Sequence, residues 1–265
     1  MYALNYHRAA STSEAATILS AASDGKFVAG GQTLIPTMKQ RLASPSDLVD
    51  LTRIPGLAGI EVSADTVRIG ATARHYDVAS SAAVAQAIPA LASLAAGIGD
   101  PAVRYQGTIG GSIANNDPAA DYPAAVLGLD ATVTTSKRTI AAAEFFQGLF
   151  TTALDDGEII TAISFPIPAK AAYVKFPNPA SRYAMTGVFV AKMRDGSVRV
   201  AVTGAGASGV FRASAIEAAL GQHWSPEAAG SGAVSPDGLL SDIHGTAEYR
   251  ANLISVGAKR AVAAA

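Results

Sequence analysis

Among its 265 residues the chain has no cysteine. Disulfides, thiolate nucleophiles, thiolate zinc sites and cysteine-held iron–sulfur clusters are therefore excluded here, and any redox centre must be an organic cofactor. Charge is scarce as well: Asp, Glu, Lys and Arg make up 15% of the residues, against roughly 25% in an average soluble domain. That shortfall implies a surface partly covered by partner chains. The 20 basic and 21 acidic residues leave a net charge of -1, with no electrostatic footprint for nucleic acid or an anionic membrane. No apolar run approaches the ~20 residues needed to span a bilayer, and Met1 to Arg8 lack the apolar stretch of an export signal. The expectation is a cytoplasmic protein. Histidine is sparse: His7, His75, His223 and His244 show no ligand spacing, so no metal site is expected. Ser112 and Ser208 have no His and Asp arrangement that would argue for a hydrolase triad.

The length suits one large domain or two modest ones. Ser11 and Glu14 have the spacing of a capping box, and Ala15, Ile18, Leu19 and Ala22 recur at helical intervals, which predicts a helix over 11–22. A short strand at Lys26 to Ala29 runs into Gly30-Gly31-Gln32-Thr33 and a second helix from Leu34 to about Arg41. Ile60 to Val62 and Val67 to Ile69 form a predicted hairpin, followed by Ala-rich helices over 75–86 and 88–98. Further strands are expected at 127–135, 139–142 and 158–165, with Pro166 and Pro168 as a domain boundary. Beyond it, 185–193 and 198–203 flank the turn Arg194-Asp195-Gly196, a helix over 212–220 stops at Gly221, and a terminal helix spans 246–263. Hairpin-paired strands with helices set apart argue α+β rather than a βαβ series.

Three glycine clusters compete as candidate sites. Gly204-Ala205-Gly206-Ala207-Ser208-Gly209 matches G-x-G-x-x-G between a strand and a helix, as in a dinucleotide fold. Its strand, however, reads as a hairpin arm, no apolar strand follows the helix, and no acidic residue lies about 20 positions on. Ala29-Gly30-Gly31-Gln32-Thr33 and Thr108-Ile109-Gly110-Gly111-Ser112 are quieter, each combining bare backbone with hydroxyls and without Lys or Arg. Singly, either could be an ordinary turn. Together they suit a pyrophosphate held by peptide N–H groups, hydroxyls and a helix amino terminus. Asn115 to Pro123 follows, and its carboxylates, Asp117 and Asp121, fit either a cofactor hydroxyl or an Asx turn capping the next helix.

Val28-Ala29-Gly30-Gly31-Gln32-Thr33-Leu34-Ile35-Pro36, joined to Gly107-Thr108-Ile109-Gly110-Gly111-Ser112-Ile113-Ala114 and Asp117-Pro118-Ala119-Ala120-Asp121, resembles the FAD-binding medium subunit of molybdenum hydroxylases. The likeness continues through Glu144 to Gly148, Thr152 to Leu154, Gly157 to Ile160, Tyr173 to Phe176 and Tyr249-Arg250, and so covers nearly the whole chain. It implies an α+β fold: a two-subdomain FAD-binding region of the vanillyl-alcohol-oxidase-like (PCMH) type, then a smaller C-terminal α+β domain. The boundaries it suggests are 1–166, divided near 55, and 167–265. By the same resemblance FAD is held by Val28, Ala29, Gly30, Gly31, Gln32, Thr33, Leu34 and Ile35 together with Thr108, Ile109, Gly110, Gly111 and Ser112. Asp121 would take a cofactor hydroxyl, Ile98 and Ile160 would line it, and Lys175 and Tyr183 would lie near the flavin ring. Gln32 departs from relatives that have His there.

The function so implied is electron transfer with no substrate chemistry in this chain. A large subunit with the molybdopterin cofactor and a small subunit with two [2Fe-2S] clusters would complete a heterotrimer, or a dimer of heterotrimers. Two other readings stay open on the sequence: a self-sufficient NAD(P)-dependent oxidoreductase using Gly204 to Gly209, and an assembly subunit without a cofactor.

Overall fold

The computed structural model describes residues 1–265. At the amino terminus β1 (Asn5–Arg8), α1 (Thr12–Ala21), β2 (Gly25–Val28), α2 (Leu34–Lys39) and β3 (Asp47–Asp50) form a small unit. Its strands lie in the order β1-β3-β2, all parallel, so this part is a βαβαβ unit inside an otherwise α+β chain. The sequence reading missed it because β1, Asn-Tyr-His-Arg, carries no apolar alternation. Its side chains instead grip β3 across the ladder: His7 bonds Asp47 at 2.7 Å, and the Tyr6 hydroxyl donates to Asp50. Helix α1 starts as predicted, with Ser11 Oγ accepting from Glu14 N–H, although the Glu14 carboxylate reaches Ala10 N–H rather than the cap.

The second unit holds β4 (Ile60–Val62), β5 (Thr66–Gly70), α3 (His75–Ser80), α4 (Ala82–Ala87), α5 (Pro89–Ala96), α6 (Pro101–Gln106), α7 (Ile109–Asn115) and α8 (Tyr122–Gly128). It continues with β6 (Thr132–Thr135), β7 (Thr139–Ala141), α9 (Ala142–Phe145), β8 (Phe146–Gly148), β9 (Thr151–Thr152) and β10 (Ile160–Pro166). The five-stranded sheet runs β4-β5-β10-β6-β7, with β10 antiparallel to both neighbours. Two expectations are corrected here. The helix over 75–86 is broken at Ser81, whose hydroxyl caps α4 by accepting from Val84 N–H. The strand expected from Leu127 begins only at Thr132, because Tyr122 to Gly128 is a helix buried on every side, where apolar periodicity cannot tell helix from strand.

The third unit is an antiparallel sheet of β11 (Lys170–Pro177), β12 (Ala184–Lys192), β13 (Val198–Thr203) and β14 (Phe211–Arg212), followed by α10 (Ser214–Gln222), α11 (Pro226–Ser231) and α12 (Ala247–Ala264). Helix α10 runs through Gly221 to Gln222, so that glycine does not stop it. Side chains alternate across β12: Val188 and Val190 enter a core with Ile216, Leu220, Ile254 and Val262 of α10 and α12, whereas Phe189 and Ala191 join the large core of the second unit. Both faces of this sheet are thus buried. The C-terminal unit is thereby locked against α5 and α8, next to the segments that carry the glycine motifs.

Candidate flavin cleft

The two quiet glycine loops, 75 residues apart in sequence at their nearest, meet in space. A Cβ on Gly30 would collide with the Gln106 carbonyl and lie 2.6 Å from Gly107 Cα, so only glycine lets β2's exit approach the start of the second loop. Gly31 follows in the left-handed region at φ 68°. The N–H groups of Ala29, Gly30, Gly31, Gln32 and Thr33 donate to no acceptor within the chain, and the Thr33 side chain caps nothing. Five consecutive unpaired amides around a left-handed glycine make a concavity suited to an anion. Val28, Leu34 and Ile35 pack beneath it with Met38 and Leu48.

The second loop is built differently from the sequence reading. Thr108 is the N-cap of α7, and Gly110 and Gly111 sit in its first turn. Four of its five amides are engaged: Ile109 N–H donates to Ala73 O, Gly110 N–H to Ala71 O at 2.8 Å, Gly111 N–H to Thr108 Oγ1, and Ser112 N–H to Thr108 O. Gly110 is small because Ala71 lies against it, with a would-be Cβ 2.6 Å from the Ala71 methyl. What this loop offers a ligand is therefore the exposed Gly111 backbone and the hydroxyls of Thr108 and Ser112, not a row of free amides. Under it lies His75, wedged against Gly107 and 5.4 Å, ring centre to ring centre, from Tyr122. His75 Nδ1, Tyr122 Oη and Thr72 Oγ1 are buried without partners. Burial, with the Arg104 charge nearby, pushes the imidazole down to about 4.

The Asn115 to Pro123 segment holds an Asx turn, though not one that caps the helix that follows. Asp117 makes an Asx turn to Ala119 N–H at 2.8 Å. Asp121, at the start of α8, caps nothing; it is buried and accepts from Tyr173 Oη at 2.6 Å and Lys175 Nζ at 2.9 Å. Burial raises its carboxyl above the usual range, against the pull of Lys175 and Tyr173. Lys175 donates also to Gly97 O, which ties β11 to the end of α5. Tyr183 is half exposed, and burial together with the neighbouring Asp117 and Asp121 raises its phenol. Ile98 is half-buried after α5, where its carbonyl accepts from Arg104, while Ile160 is buried at the start of β10.

Tyr173 is a participant the sequence reading gave no role. The signal was available: in a strand, residues two apart share a face, so Tyr173 accompanies Lys175. The Gly204 to Gly209 run does not make a dinucleotide site. Strand β13 is antiparallel to both β12 and β14, and the N–H groups of Gly204, Ala207 and Gly209 are spent on Pro118, Gly238 and Gly206 carbonyls.

Comparison with known proteins now adds to this geometry. Residues 2–168 match the family described as the FAD binding domain in molybdopterin dehydrogenase, and the chain belongs to that family. It is 37% identical over 98% of its length to the nicotine 6-hydroxylase medium subunit of Paenarthrobacter nicotinovorans, covering 96% of that protein. To the carbon monoxide dehydrogenase medium chain of Hydrogenophaga pseudoflava it is 34% identical, again over 98% of this chain and 96% of the other. A solved carbon monoxide dehydrogenase from Hydrogenophaga pseudoflava, lacking the Mo-pyranopterin moiety, superposes with a TM-score of 0.91 at 36% identity, over all of this chain and 97% of that one. The chain is accordingly an FAD-binding medium subunit of the molybdenum hydroxylase type, with an α+β fold, and no helix is long and apolar enough to cross a membrane.

Proposed function

We propose that the chain is the electron-transfer subunit of a molybdenum hydroxylase, receiving electrons from [2Fe-2S] clusters on a small partner subunit and passing them to an external acceptor. A large subunit with the molybdopterin cofactor would oxidise the substrate, in a cytoplasmic heterotrimer or a dimer of heterotrimers. The observation that carries this reading is the run of unpaired amides at 29–33 seated on the start of the second glycine loop. FAD, when bound, supplies a centre that accepts electrons singly and releases them singly or in pairs. The first loop would bind its pyrophosphate through peptide N–H groups and the Thr33 hydroxyl, with Thr108 and Ser112 hydroxyls opposite. Asp121 retains lone pairs for a cofactor hydroxyl beyond those used by Tyr173 and Lys175. Tyr183, beside Asp117 and Asp121, would face the ring from the C-terminal unit.

We take residues 1–166 as the cofactor-holding region and 167–265 as the unit that closes its far side. The absence of cysteine supports the division of labour, since clusters must then reside on another chain. The test has two parts. Acid precipitation of the purified chain should release one FAD per chain into the supernatant; FMN, or flavin remaining with the pellet, would refute the pyrophosphate argument or the non-covalent one. Anaerobic flavin bleaching by substrate should require the partner subunits, and bleaching by the lone chain at the complex's rate would end the electron-transfer assignment.

A further inference from the structure

Arg250, on α12, is the only arginine among the buried residues. Its Nη2 makes a two-pronged pair with Asp242, at 2.9 Å to Oδ1 and 2.8 Å to Oδ2. Its Nη1 donates to the carbonyls of Met185 and Gly204, at the beginning of β12 and just past the end of β13. Those two strand ends grip the far side of the acidic segment. Gly204 N–H donates to Pro118 O at 2.8 Å, Ala184 N–H to Ala119 O at 3.4 Å, and Thr203 Oγ1 to Ala120 O at 2.6 Å and Pro118 O at 3.1 Å. Three consecutive carbonyls before Asp121 are therefore held from one place. Gly204 is in the left-handed region at φ 80°, and a Cβ on it would run into the Ala184 carbonyl. This explains the glycine that imitates a nucleotide fingerprint: it lets two strand ends close on one guanidinium.

We propose that Arg250, neutralised by Asp242, is a positioning residue for the flavin cleft. By fixing Met185 and Gly204 it sets Tyr183, two residues before Met185, and Asp121, one residue after the gripped carbonyls. The proposal rests on the reading of the 117–121 segment as a wall of the FAD site. It acts from outside that site, since none of the groups that bond Arg250 belongs to the loops at 29–33 and 108–112.

The test uses the full chain loaded with FAD, with Arg250→Lys, Arg250→Gln and Asp242→Asn beside the exposed-pair control Arg194→Gln, whose partner is Asp65. The FAD dissociation constant, the visible circular dichroism of the bound flavin and the melting temperature are measured for each. Arg250→Gln is expected to weaken FAD binding at least tenfold and change the flavin dichroism. Arg250→Lys should recover part of both, Asp242→Asn should weaken binding several-fold, and Arg194→Gln should match the parent. If Arg250→Gln does not fold, Asp242→Asn decides, because Asp242 is on a turn with its side chain 39% exposed. Variants that melt lower yet keep the parent's FAD affinity and dichroism would overturn the positioning role and leave only packing. A parent chain that binds no FAD at all would overturn the flavin reading itself, and this proposal with it.

Discussion

Replacing Lys175 by Met would strand the Asp121 carboxylate. In the native chain that buried group is answered by Lys175 Nζ at 2.9 Å and Tyr173 Oη at 2.6 Å. Removing one partner of a buried ion pair costs about 3–5 kcal/mol, because the remaining charge is left desolvated. At roughly 2–4 °C per kcal/mol for a chain of this size, the apoprotein should melt about 10 °C lower. The loss should depend on pH. Burial already raises the Asp121 carboxyl, and without Lys175 it rises further. A carboxyl raised in the folded state favours folding at pH values below its unfolded value and loses that advantage as pH climbs through the folded one. The Lys175→Met penalty should accordingly be smaller at pH 5 than at pH 8.

A second substitution makes the argument refutable. Adding Asp121→Leu removes the stranded charge and leaves only the Tyr173 hydroxyl without its acceptor, a cost of about 1–3 kcal/mol. The double variant should therefore be more stable than Lys175→Met alone, a coupling that thermal melts of the four proteins measure directly. Its FAD affinity should nevertheless fall, since the proposed cofactor contact at Asp121 is gone. A double variant no more stable than the single one would show that the pair is not the coupled buried unit described here.

Gly30→Ala should force the first loop off Gly107 and abolish FAD retention while far-ultraviolet dichroism stays native; an unchanged FAD titration would refute the cradle. Gly111→Val should also lose FAD, because a Cβ there already sits 2.9 Å from Thr108 Oγ1, and a folded variant with native affinity would count against that loop. His75 stays neutral in the folded chain down to about 4, against 6.5 for a free imidazole, so stability is full above pH 6.5 and drains as pH falls toward 4, by roughly 2–3 kcal/mol. Urea midpoints across that range should show the slope, and His75→Phe should remove it. Tyr183→Phe should change the visible dichroism of bound FAD with little change in melting temperature; an unaltered flavin signal would make it an ordinary strand-edge tyrosine.

How much of this was legible in the sequence depended on distance along the chain. The hairpins β4-β5 and β12-β13 and the capped helices α1 and α12 follow from local alternation, turn residues and Ser or Thr caps, and they stand as expected. The parallel sheet of β1 and β3 was hidden because polar side chains, not apolar ones, hold its outer pairing. Glycine recurrence pointed to both candidate loops, but composition cannot say which amides remain free. In the first loop all five do; in the second, Ala71 and Ala73 take two, Thr108 takes two more, and only the Thr108 N–H is left. Most opaque were Tyr173 and Arg250, whose farthest partners lie 52 and 65 residues away along the chain.

That difference bears on how the cleft is built. The amino-terminal wall keeps its hydrogen-bonding capacity unspent, so it can serve a ligand. The wall at 117–121 is the reverse: the Pro118, Ala119 and Ala120 carbonyls and the Asp121 carboxylate are already occupied by the C-terminal sheet. In the proposed site a segment so committed would hold its shape, lowering the ordering cost of binding, while Asp121 would add only the hydroxyl contact its remaining lone pairs allow. Substitutions in the first loop should therefore act mainly by removing contacts with FAD, and substitutions behind the second wall mainly by loosening a surface that touches it. The flavin dichroism separates the two, since a lost phosphate contact leaves the ring environment of any FAD that still binds unchanged, whereas a displaced Tyr183 or Asp121 does not.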